Sequence, residues 1–76
     1  MYKVFMVLNE NGEQMQCDFN NSVVQLIRVA VNKCLLMVDV STNAPISLNE
    51  KIIGVYNDGN FLVIKNEKST YCFLPV

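Results

Sequence analysis

The chain has no histidine and no tryptophan, and its three cysteines form no CxxC pair. Without histidine, no side chain has an ordinary pKa near neutrality for general acid–base work. Cys17, Cys34 and Cys72 are widely scattered and match no zinc-ligand spacing. An odd count cannot pair fully within one chain, so they read as reduced, mostly buried thiols. The opening MYKVFMVLNE lacks the apolar run and small-residue cleavage site of a secretory signal. The expected location is the cytoplasm.

Charge is also scarce. Charged residues make up 17% of the chain, where about 25% is typical of soluble domains. Six basic and seven acidic residues leave a net charge of -1. That balance offers no broad attraction to a phosphate backbone, so a nucleic-acid partner is not expected. Gly12, Gly54 and Gly59 stand apart and make no phosphate-cradling loop. The longest apolar stretch, Ser22 to Val40, is too polar to span a bilayer, and no membrane association is expected.

What is present is apolar side chain. Hydrophobic residues reach 51% in 76 residues. A single domain over 1–76 has limited interior for them. Part of that surface is expected to be covered by a partner, most simply a second copy in a homodimer, or a larger protein.

Asn11-Gly12 is a hairpin signal. Centred there, it pairs Leu8 with Met15, Met6 with Cys17 and Val4 with Phe19 on a core face. Phe5 and Val7 fall on the other side as apolar exceptions. Asn20, Asn21 and Ser22 are helix-capping types. Val23, Val24, Ile27, Ala30, Val31 and Cys34 then recur at helical spacing, so Ser22 to Lys33 is expected to be a helix despite its valines. Cys34 to Val40 reads as a strand, and Ser41 to Ser47 as a loop broken by Pro45.

Asp58-Gly59 marks a second hairpin. It pairs Tyr56 with Phe61, Val55 with Leu62, Ile53 with Ile64 and Ile52 with Lys65. A turn at Glu67-Lys68 then sets Tyr71 beside Ile64 and Phe73 beside Leu62. Val55, Leu62, Ile53 and Ile64 make a core face. Gly54, mid-strand, suggests a bulge or close packing. The expected fold is α+β: an antiparallel sheet of about five or six strands with one helix on a face, in the order β-β-α-β-β-β-β. The alternative is an all-β small barrel or sandwich.

No catalytic, metal or cofactor site is expected. Asp39, ending an apolar strand, is the one carboxylate outside predicted turns and the candidate for a polar site. Its plain reading is a strand-end residue accepting loop N–H bonds. Asn57-Asp58-Gly59-Asn60 is too short for an EF-hand loop and reads as a turn. Tyr56 and Phe61 could stack bases, but Tyr71 falls on the opposite face. The function expected is that of a small non-enzymatic protein-binding protein: an assembly subunit, an inhibitor, or an accessory factor of a virus or mobile element. Its contact surface is expected at Ile52, Tyr56, Phe61, Val63 and Leu74. The runner-up is a domain binding a small ligand or single-stranded nucleic acid, or a small enzyme, with a pocket at Asp39, Tyr56 or Cys72.

Overall fold

A computed structural model describes all 76 residues, and its regular structure is entirely β. The strands are β1 (Tyr2–Asn9), β2 (Val23–Arg28), β3 (Cys34–Asp39), β4 (Pro45–Asp58), β5 (Phe61–Asn66) and β6 (Ser69–Pro75). Each pairs antiparallel with the next, and β6 returns to β1, so the sheet closes into a small barrel. Closure satisfies the strand edges that an open sheet would leave bare. With no helix, none is long and apolar enough to cross a membrane.

The expected α+β architecture is therefore corrected: no helix packs on the sheet. Val23–Arg28 is a strand, and Ala30–Lys33 is a turn closed by the Lys33 N–H donating to the Ala30 carbonyl at 3.0 Å. Asn32 has φ of 71° there, the positive value that the third residue of a type II turn needs. The β-branched composition won over the helical spacing. The helical stripe does not survive: Ile27, Ala30 and Val31 are exposed, and Ile27 is the extra residue of a bulge in which Leu26 pairs with Met37 and Arg28 with Leu36. Leu26 and Val29, three apart, thus both reach the core.

Two further bulges follow the same rule. Val4 pairs with Phe73 and Met6 with Cys72, which leaves Phe5 unpaired. Ile52 pairs with Asn66 and Gly54 with Lys65, which leaves Ile53 unpaired. Gly54 itself meets nothing closer than the Lys65 Cβ, at 4.0 Å from an added Cβ. Each bulge expels one large apolar residue: Phe5, Ile27 and Ile53 are 43%, 54% and 52% exposed.

The bulges correct the expected faces. Val4 and Val7 are both fully buried, while Met6 and Leu8 point outward with their partners Cys72 and Thr70. Ile52, expected on the contact surface, is fully buried in the core, and Ile53 and Val55, expected inside, are exposed. The core is Val4, Val7, Val24, Leu35, Met37, Ile52, Ile64, Tyr71 and Phe73.

The turns explain the remaining register. Gly12 donates to the Asn9 carbonyl at 3.0 Å with φ of 80°, and Asn9 donates to Glu13 at 2.8 Å. This is a type I turn followed by a left-handed glycine. It sets Leu8 opposite Gln14, one residue off the expected register, and only as an isolated bridge. Met15, Cys17 and Phe19 then pack against the core without forming a strand. At the second hairpin Asp58 pairs with Phe61, so the loop is Gly59-Asn60. Glycine at its first position, with φ of 61°, fits a type II′ turn. This moves each partner by two residues and keeps its face. β5 and β6 pair in the expected register, Ile64 with Tyr71 and Leu62 with Phe73.

β4 serves two neighbours in turn. Pro45–Ser47 and, after a register shift, Lys51 pair with β3, and Ile52–Asp58 pairs with β5. Leu48, Asn49 and Glu50 lie in the irregular stretch between the two β3 contacts. The junction of β1 with β2 is narrow, with register pairs only at Tyr2–Val24 and Lys3–Val23.

Candidate functional site: an aromatic outer face

Residues directly opposite in adjacent strands share a face. On the outside of β1, β6, β5 and the second half of β4, one row therefore runs Met6, Cys72, Val63, Tyr56. Beside it, Lys3 pairs with Leu74 and Phe61 with Asp58; continuing the β5–β6 register by one step sets Leu74 against Phe61. A third row runs Leu8, Thr70, Lys65, Gly54. The ring of Phe5 meets that of Phe61 with centroids 5.0 Å apart and planes inclined by 47°.

This face carries four of the five residues expected at the contact surface: Tyr56, Phe61, Val63 and Leu74. Tyr56 is 51% exposed and Phe61 and Leu74 are half-buried. Val63 and Cys72 are nearly covered, at 4% and 8%. Ile52 does not join them. Sequence reasoning placed Met6 in the core, because a bulge at Phe5 leaves no local mark beyond two adjacent apolar residues of unclear phase. Burial pushes the Cys72 thiol above its ordinary pKa, and the Asp58 carboxylate adds to the rise, so that thiol is a poor nucleophile.

Asp39 lies elsewhere, at the end of β3. Its Oδ1 accepts the Ser41 N–H at 2.9 Å and the Ser41 hydroxyl at 2.7 Å. These bonds, the hydroxyl's first, hold its pKa below the ordinary value. The arrangement closes a local turn. Tyr71 is in the core and stacks between Phe19 and Phe73. Burial pushes its pKa up to about 12, with the Glu50 carboxylate adding. Cys17 is raised by burial and by Asp18.

The single cleft, about 250 Å³, lies between the Asn9–Gly12 turn and the β5–β6 turn. Its walls include Lys65, Lys68, Glu10 and Glu67, and none of Asp39, Tyr56 and Cys72. Opposite charges balance there. Asn66, which also lines it, is 2% exposed, and its amide oxygen and nitrogen have no protein partner. No three acidic or cysteine side chains gather at a metal-binding distance. No family model, curated protein or solved structure matches the chain.

Proposed function

We propose that the protein is a non-catalytic binding module that docks a second protein surface on the outer face of β1, β6, β5 and β4. The observation that carries this reading is the packing of Phe5 against Phe61 on the outer side of the sheet, where Met6, Leu74 and the exposed Tyr56 also lie. Interface centres are enriched in aromatic residues and methionine and depleted in charge. Contiguous exposed apolar patches on small proteins mark interaction sites. The test is capture from the native cell on immobilised wild type, Tyr56→Glu and Ile27→Glu. A partner held by wild type and Ile27→Glu and lost by Tyr56→Glu supports the reading. Equal retention by all three sinks it.

A second reading has one specific observation in its favour. Tyr71 is in the core, but Phe5 supplies a third aromatic beside Phe61 and Tyr56, with Lys3 and Lys65 in the flanking rows. Such a surface can stack unpaired bases. The net charge of -1 weighs against it. Titration with a single-stranded oligonucleotide at low salt decides: binding that Tyr56→Ala abolishes favours this reading over the first.

A further inference from the structure

We propose that the cleft between the Asn9–Gly12 turn and the β5–β6 turn binds a small uncharged molecule through a planar edge of one hydrogen-bond donor and one acceptor. That edge is the chemistry shared by a nucleobase and a primary carboxamide. The site is separate from the docking face, since none of Phe5, Met6, Tyr56, Phe61 and Leu74 lines it. The observation that carries the proposal is the amide of Asn66. The β4–β5 register sets Asn66 opposite the fully buried Ile52, so it faces inward between the exposed Lys65 and Glu67. Asn66 is 2% exposed, lines the cleft, and has neither its amide oxygen nor its nitrogen bonded to the protein. Leaving a buried donor and a buried acceptor both unmade is costly, and an apolar side chain of similar size would avoid the cost. Asn20 shows the contrast. Its oxygen is also unpaired, but its nitrogen donates to the Met15 carbonyl at 3.2 Å and so ties down the segment before β2. The Asn66 amide makes no such structural bond. A buried polar group that breaks the local rule without structural return marks a functional position.

The rest of the cleft sets the chemistry of the ligand. Its volume is about 250 Å³, below the roughly 300–1,000 Å³ of sites for drug-sized molecules. Leu8 is the single apolar side chain in its lining, which disfavours an aliphatic occupant. Lys65 and Lys68 are matched by Glu10 and Glu67, so neither an anion nor a cation is favoured. These four charged residues are exposed and form the rim, while the buried Asn66 and Ser69 form the floor. The Ser69 hydroxyl already donates to Glu50 at 3.1 Å. The Asn66 amide is therefore the unused pair, an acceptor oxygen beside a donor nitrogen. A flat edge with a donor beside an acceptor satisfies both at once, as adenine does with asparagine. Because the amide is bonded to nothing in the protein, turning it toward a ligand breaks no hydrogen bond.

The test is an NMR titration of the isotope-labelled chain with adenosine and with nicotinamide. At least one is expected to shift the Asn66 side-chain amide and the backbone amides of Gly12 and Ser69, saturably at millimolar concentration. Adenosine alone assigns a nucleobase, nicotinamide alone a carboxamide, and both together the shared edge. Asn66→Leu is expected to fold at least as stably as wild type, because it removes the unpaired amide, and to weaken binding about tenfold or more. The N-dimethylated forms of the two probes lack the donor and are expected to bind wild type more weakly by a similar factor, a result that needs no variant to fold. Tyr56→Glu is expected to leave the affinity unchanged, so this site and the docking face stand or fall separately. No shift from either probe overturns the proposal and leaves the amide to water. Binding that survives Asn66→Leu, or that tolerates dimethylation, overturns it as well. Shifts confined to Tyr56 and Phe61 overturn the cleft in favour of stacking on the outer face.

Discussion

Phe5 and Phe61 belong to strands that are not neighbours, yet their ring centroids lie 5.0 Å apart. β6 runs between β1 and β5, and two strand spacings amount to roughly 9–10 Å. The rings therefore lean toward each other over β6. Their arch accounts for the low exposure of Cys72, which faces outward on the strand beneath. The pair is expected to be coupled. In urea unfolding, Phe5→Ala and Phe61→Ala together should cost about 1 kcal/mol less than the sum of the single changes. Additive costs would mean that the rings are independent in solution.

Ile52 and Ile53 are adjacent in sequence and opposite in consequence. Ile52→Ala should cost about 3 kcal/mol, because the side chain is fully buried in a packed core. Ile53→Ala should stay within about 0.5 kcal/mol, since the bulge holds that side chain in solvent. Chemical denaturation of both variants checks the phase of β4. Equal costs would place the bulge elsewhere.

These two residues also show how far the fold was legible. Where no bulge intervenes, alternation and turn chemistry suffice: β5 and β6 pair as the turn at Glu67-Lys68 implies, and Tyr56, Phe61, Val63 and Leu74 fall on one outward face. A bulge adds one residue and inverts every position beyond it. Alternation from the turn thus puts Ile52 on the surface, although it is core. At Ile27 the insertion breaks the alternation of β2, and the apolar residues it and the following turn leave exposed, Ile27, Ala30 and Val31, fall by chance at helical spacing from Val23 and Val24. Bulges depend on the partner strand as much as on local composition, so sequence windows do not reveal them. The aromatic face needed closure to be seen, since Phe5 and Phe61 are distant in the chain.

Glu50, in the irregular stretch of β4, ties that strand to the β5–β6 turn. Its Oε1 accepts the Lys68 N–H at 2.7 Å and its Oε2 accepts the Ser69 hydroxyl at 3.1 Å. Glu67 returns the contact by accepting the Lys51 N–H at 3.1 Å. Glu50→Ala should lower stability by about 2 kcal/mol, the scale of hydrogen bonds to a charged acceptor. Glu50→Gln, which keeps an acceptor oxygen, should lose less. Thermal unfolding of the two variants side by side is the measurement.

Tyr71 gives the barrel a limit in alkali. Its pKa rises from 10.0 to about 12 on folding, through burial and then the Glu50 carboxylate. Above pH 10 the unfolded chain releases this proton while the native state keeps it. The contribution is full below pH 10 and is lost as the pH climbs toward 12. Over that window stability should fall by up to about 1.4 kcal/mol per pH unit from this group. Tyr71→Phe should show a slope shallower by up to that amount. Parallel slopes would mean that the phenol reaches water in the native state.

The narrow junction between β1 and β2 sets where the molecule unzips. Besides its two register pairs it is held by Val4 donating to Ser22 at 2.9 Å and Asn21 donating to Val4 at 2.8 Å. β1 grips β6 along nearly its whole length instead. Local opening will therefore start on the β2 side, and the amides of Val4 and Asn21 will take up deuterium before those of β5 and β6. An unzipped molecule presents two bare strand edges at once, the geometry through which copies trade strands when crowded.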